Sequence, residues 1–88
     1  MPEVRVYTTR YCPYCFAAKR LLNTLRIEYS EIHLDNDPEL RQRIAQENGG
    51  WKTVPMVFVG ERFIGGFSEL SDLQKSGRLE ELFSPNSF

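Results

Sequence analysis

Prolines and glycines divide this chain into short elements and leave few choices of fold. Pro13 and Pro38 each suit the first position of a helix, where a missing N–H would have had no partner, and each follows a residue able to cap it, Cys12 or Asp37. Gly49-Gly50, Gly65-Gly66 and Gly77 act as stops. Hydrophobic periodicity fills the intervals. Val4 and Val6 alternate with Arg5 and Tyr7, predicting a strand over about 3–8. Ala18, Leu22 and Leu25, with Cys15 and Leu21, form one apolar stripe and predict a helix from Pro13 to about Leu25, with Lys19, Arg20, Asn23 and Arg26 facing out. A half-polar second strand is expected over Ile27 to Leu34. A second helix opens at Asp37-Pro38 and carries Leu40 and Ile44. Met56-Val57-Phe58-Val59 reads as a strongly apolar third strand, and Gly60-Glu61 turns it into a short fourth strand, Arg62-Phe63-Ile64. Ser68 is the expected cap of a third helix bearing Leu70 and Leu73. A last short helix is expected over Arg78 to Phe83, then a frayed tail over 84–88. The order is β-α-β-α-β-β-α. Its first β-α-β is expected parallel and right-handed, and the last two strands form a hairpin. The fold class is therefore α/β, a small four-stranded mixed sheet flanked by helices.

Eighty-eight residues, 41% of them hydrophobic, suffice for one core, so residues 1–88 are read as a single domain. Eleven basic residues against 12 acidic give a net charge of −1. That balance offers no basic field for nucleic acid and no polybasic arm for a lipid surface. Charged and apolar residues alternate from the start, unlike a secretory signal, and no apolar run is long enough to span a bilayer. A cytoplasmic location is the expectation.

Both cysteines lie in one C-x-x-C, Cys12-Pro13-Tyr14-Cys15. A reducing compartment disfavours a permanent disulfide, and so short a loop constrains the unfolded chain little. A structural zinc site needs four ligands. The chain has two cysteines and one histidine, His33, so metal would require two chains to pool their cysteines; His33 itself reads as an ordinary residue of a half-exposed strand. Redox chemistry fits better. Cys12 sits at a helix N-cap, where unpaired N–H groups and the helix dipole stabilise negative charge. Cys15 lies one turn inside, on the same face, shielded by the sheet. Cys12 is thus the expected nucleophile and Cys15 the resolving thiol. Arg10 and Lys19 add positive potential nearby, although Arg10 also reads as a solvated loop charge.

These residues resemble the dithiol glutaredoxins. Cys12-Pro13-Tyr14-Cys15 matches that family's C-P-Y-C site, Thr53-Val54-Pro55 its T-V-P segment and Gly65-Gly66 its G-G turn, in the same order and spacing over roughly 3–83. The resemblance implies a thioredoxin-like fold and glutathione-dependent reduction of protein disulfides and protein–glutathione mixed disulfides. It implies a cis bond before Pro55, leaving the Val54 backbone beside Cys12 to pair with an extended peptide. It assigns glutathione contacts to Arg10, Tyr14, Lys52, Thr53, Val54, Gly66, Phe67, Ser68 and Glu69, with Pro13, Tyr14 and Pro55 supporting the cysteines. Lys52 would meet the glycine carboxylate, and the start of the third helix the γ-glutamyl carboxylate.

Three positions depart from the family pattern. Glu69 stands where aspartate is usual. Thr9 stands where a lysine is common, with Arg10 adjacent. Gly50-Trp51 replaces small polar residues, and Trp51 either covers the groove or caps the second helix. The resemblance also implies a monomer with no tightly bound cofactor and no metal. Glutathione would be co-substrate, glutathione reductase an indirect partner, and disulfide-bearing or glutathionylated proteins the clients. Two other readings share the motif: a redoxin served by thioredoxin reductase, and a carrier whose iron–sulfur cluster is held by Cys12 and glutathione from two protomers, against which Pro13 argues.

Overall fold

The computed structural model describes residues 3–82. Strand β1 is Val4–Thr8, helix α1 Pro13–Thr24, β2 Ser30–His33, α2 Pro38–Glu47, β3 Met56–Val59, β4 Arg62–Gly65 and α3 Phe67–Lys75, followed by a 3₁₀ turn, Glu80–Leu82. The strands form one mixed sheet in the order β2-β1-β3-β4. β1 runs parallel to β2 and antiparallel to β3, and β3 pairs antiparallel with β4.

The two central strands are buried on both faces, which is why β3 is a continuous apolar run rather than an alternating one. Val4, Val6, Val57 and Val59 point to one side and meet Ala18 and Leu22 of α1, Leu70 of α3, and Leu79. Tyr7, Met56 and Phe58 point to the other and meet Leu34 and Ile44 of α2. The stripe expected on α1 is the face that packs: Cys15, Ala18 and Leu22 are buried, and Leu21 and Leu25 lie against the same core.

Four boundaries differ from expectation. β2 begins at Ser30, not Ile27, because Arg26 takes a left-handed φ of 59° and the chain needs several residues to return to the sheet. Ile27 and Tyr29 still pack on the first core, from a loop. α3 begins at Phe67 with Gly66 as its cap, so Ser68 lies inside the helix and does not cap it. β4 runs one residue further than read, through Gly65. The last helix is a single 3₁₀ turn; its expected end at Phe83 and the tail 84–88 lie outside the described residues.

Leu22 is fully buried between α1 and the sheet. Leu22→Ala is expected to lower unfolding free energy by about 2–5 kcal/mol, through lost burial and an unfilled cavity. Urea unfolding followed by circular dichroism checks it; a change under about 1 kcal/mol would mean that α1 packs loosely.

Candidate active site: two sulfurs at a helix start

β1 delivers the chain to Thr8, which is fully buried, and the exposed residues Arg10 and Tyr11 lead to the start of α1. Cys12 is the N-cap, with extended backbone (φ −133°, ψ 104°). Its Sγ accepts the Cys15 N–H at 3.2 Å, the role an oxygen usually fills at a cap. Pro13 follows at the first helical position. Both thiols are free. Cys12 is 8% exposed and Cys15 1%. Burial, and then contact with Cys12, pushes the Cys15 thiol up to about 12; a backbone hydrogen bond from Thr9 and the charge of Lys19 oppose this.

Residues 54–55 reach the cysteines from β3. The Val54–Pro55 bond is cis, and the Cys12 thiol donates to the Val54 carbonyl at 3.4 Å. Pro55 is buried. The start of α3 closes on the same place. A Cβ built on Gly66 would lie 3.5 Å from the Pro55 carbonyl oxygen and 3.7 Å from Trp51 Cζ2, so backbone, ring and helix start converge there. Gly65 has φ 122°, and a Cβ on it would lie 2.8 Å from Glu69 Cγ. Tyr14 is 64% exposed and stacks on Phe67 with ring centroids 6.4 Å apart.

The other expected residues are placed less uniformly. Arg10 is exposed, and its backbone N–H, not its guanidinium, is tied to Asp35 at 2.9 Å. Lys52 and Thr53 are exposed, and the Lys52 carbonyl accepts from Arg41 at 3.3 Å. Ser68 is exposed in the first turn of α3. The Glu69 carboxylate turns back and accepts the Gly66 N–H at 2.8 Å. This half of a capping box comes from the longer acid; glycine at the cap has no side chain to supply the other half. Trp51 touches both the end of α2 and the start of α3. Its backbone N–H joins that of Gly50 on the Ala45 carbonyl at the end of α2. Its ring packs edge-on against Phe63 at 5.1 Å and reaches Gly66. Its indole N–H is buried without a partner among the described residues.

One pair escaped sequence reasoning. Lys19, expected to face water, bonds Glu31 at 2.8 Å with both side chains mostly covered. Thr8 donates to the same carboxylate oxygen at 2.8 Å, and His33 Nε2 lies 4.0 Å from it. Burial alone would raise the Glu31 carboxyl; the hydrogen bonds from Lys19 and Thr8 outweigh it and hold the group below the usual carboxylate range. The same bond raises Lys19 above its ordinary value. A surface recess of about 1440 Å³ lies elsewhere, at the opposite end of β1 beside Val4, Leu25, Tyr29 and Leu79.

A dithiol on a helix start, in contact with a cis-proline segment at one end of a four-stranded mixed sheet, defines a protein of the thioredoxin-like class. A family profile described as Glutaredoxin matches residues 4–64. The chain is 43% identical over 84 residues to a glutaredoxin of Pseudomonas aeruginosa, covering 96% of this chain and 99% of that one. The solution structure of a glutaredoxin from Brucella melitensis matches with a TM-score of 0.81 at 39% identity, over 93% of this chain and 88% of that chain. The crystal structure of a buckwheat glutaredoxin–glutathione complex matches with a TM-score of 0.83 at 31% identity, over 92% of this chain and 76% of that chain. The chain belongs to the glutaredoxin family, and is a thiol–disulfide oxidoreductase.

Because Glu31 is held below its ordinary value, its contribution to stability is complete above the unfolded carboxyl value of about 4.3 and is lost as pH falls through the lower folded value. Lys19 acts at the other end: its contribution is complete below 10.5 and is lost as pH rises beyond that. Stability measured against pH should therefore fall less between about pH 5 and 3 in Glu31→Gln than in the parent chain. Parallel curves would show that the pair contributes no acid sensitivity.

Proposed function

We propose that this chain reduces protein–glutathione mixed disulfides and protein disulfides, with glutathione as electron donor. One observation carries the reading: the Cys12 sulfur lies against the Val54 carbonyl, and the start of α3 comes up beside the Pro55 carbonyl next to it. An extended tripeptide could pair with the Val54 backbone, and the first-turn N–H groups of α3 could hold its γ-glutamyl carboxylate. The buckwheat relative in complex with glutathione supports the choice of ligand. Lys52, exposed beside Thr53, would face the glycine carboxylate. Tyr14 and Phe67 would flank the sulfur. Arg10 enters only through long-range charge, since its backbone alone is anchored. Glu69 would stay on the Gly66 N–H and take part only by shaping the helix start.

In the first step the Cys12 thiolate attacks the glutathione sulfur of the mixed disulfide. The client thiolate leaves and takes up a proton. A second glutathione thiolate then attacks the glutathione held on Cys12, forming glutathione disulfide and restoring Cys12. With a protein disulfide, Cys15 attacks Cys12 instead, releases the client and leaves a Cys12–Cys15 bridge for glutathione to reduce. Each exchange depends on thiolate fraction and on the leaving thiol. The reading includes residues 1–88 as one domain, a monomer in the cytoplasm, and no tightly bound cofactor. No helix among the described residues is long and apolar enough to cross a membrane.

NADPH consumption tests this, with a small glutathione mixed disulfide as substrate and glutathione plus glutathione reductase as the reducing system. Turnover should vanish in Cys12→Ser and persist in Cys15→Ser, while reduction of a protein disulfide should need both cysteines. Turnover with thioredoxin reductase alone, and none with glutathione, would reassign the electron donor.

A further inference from the structure

On the exchange reading the Cys15 sulfur gives up its proton while buried, and among the described residues Lys19 is the cation whose charge favours that. Lys19 sits four residues on along α1, one turn away on the same face. Its ammonium is not free to wander. Glu31 holds Nζ at 2.8 Å, Thr8 from the fully buried end of β1 fixes the same carboxylate oxygen, and the Phe16 ring lies 4.9 Å from Nζ. We propose that Lys19, held in place by Glu31 and Thr8, is a positioning residue for the second step of exchange: it steadies negative charge on Cys15 as that sulfur turns from thiol to attacking thiolate. The inference rests on the exchange reading above and concerns the protein-disulfide route.

The surroundings favour this timing. Three influences resist ionisation of Cys15 in the reduced pair: burial, the hydrogen bond with Cys12, and the charge of Cys12. The last two end once Cys12 is bound in a mixed disulfide. The Thr9 hydrogen bond and the Lys19 charge, which favour the thiolate, remain. The other titratable groups facing the pair are Glu31, His33 and Tyr29. In the step itself Cys15 loses its proton to water and its sulfur bonds Cys12 Sγ. The Cys12–client bond breaks, and the client sulfur leaves with the electron pair and is protonated. In this step the Cys15 sulfur goes from thiol to disulfide level, Cys12 stays in a disulfide, and the client sulfur is reduced to a thiol.

The test uses a fluorescent peptide whose cysteine is joined to thionitrobenzoate. Attack by Cys12 releases thionitrobenzoate, the better leaving thiol, and absorbance follows that first step. Release of the peptide, followed by fluorescence, reports attack by Cys15. The quantity read is the ratio of second-step to first-step rate at pH 7.5 and fixed peptide concentration. Lys19→Met should lower the ratio about threefold, a roughly tenfold loss of thiolate fraction being partly offset by the greater nucleophilicity of a more basic thiolate. Lys19→Arg should restore it. Glu31→Gln, which keeps an oxygen for Nζ but removes its negative charge, should raise it. An unchanged ratio in Lys19→Met overturns the proposal alone. So does a fall in Glu31→Gln as large as that in Lys19→Met, because the pair would then matter only as a structural unit. A chain whose Cys12 releases no thionitrobenzoate overturns the exchange reading, and this proposal with it.

Discussion

A single contact, the Cys15 N–H donated to Cys12 Sγ at 3.2 Å, separates two sulfurs that the sequence places only two residues apart. It makes Cys12 the cap of α1, lying where the helix's unpaired N–H groups concentrate positive potential. The geometry that makes position 12 a cap makes position 15 part of the helix. Because Cys15 shares a stripe with Ala18 and Leu22, packing of that stripe on β1 and β3 buries it. One sulfur thereby lies at the helix start against the Val54 carbonyl, and the other lies deeper, under the stripe. Pro13 supports this division, since it fixes the first helical residue without needing a hydrogen-bond partner.

The remaining parts of the site come from far along the chain, and sheet order brings them in. β3 pairs with β1 so that Met56 lies opposite Tyr7. The residues just before Met56 must then lie beside those just after β1, which puts Val54 and Pro55 against Cys12. β4 follows β3 through a tight turn, so its last residue, Gly65, returns to the same end of the sheet. Only a glycine fits there, given a φ of 122° and the Glu69 side chain already in the space a Cβ would take.

What the sequence disclosed follows from how local each signal is. Helix starts at Pro13 and Pro38 and the strand Met56–Val59 were legible, because caps, prolines and an uninterrupted apolar run act within a few residues. The placement of the two cysteines was legible for the same reason: cap and stripe are both properties of α1. The cap of α3 was misread because serine is the better capping residue by propensity. The structure instead uses a carboxylate three residues on, long enough to turn back to Gly66. The start of β2 was misread because nothing in its composition shows that Arg26 turns left-handed. The Lys19–Glu31 contact was out of reach, since it depends on the parallel register of β1 with β2, where Val6 faces Glu31 and Thr8 faces His33. Residue 19 looks exposed on α1 alone; β2 at the sheet edge is what covers it.

Hydrophobic packing does not explain that part-buried polar cluster. Replacing a part-buried ion pair with apolar residues of similar volume is often neutral or stabilising, because desolvation offsets much of the attraction. Glu31 Oε2 accepts from both Thr8 and Lys19, and no atom of the cluster is buried without a partner among the described residues. Yet the core beside it is built from valine, leucine and alanine. A carboxylate held below its ordinary range and an ammonium held above it form a fixed dipole, with its positive end on the helix that carries both sulfurs. Such a dipole acts on the potential at an ionising group a turn away, where partial burial keeps solvent from screening it fully. The role proposed for Lys19 at Cys15 follows from that placement.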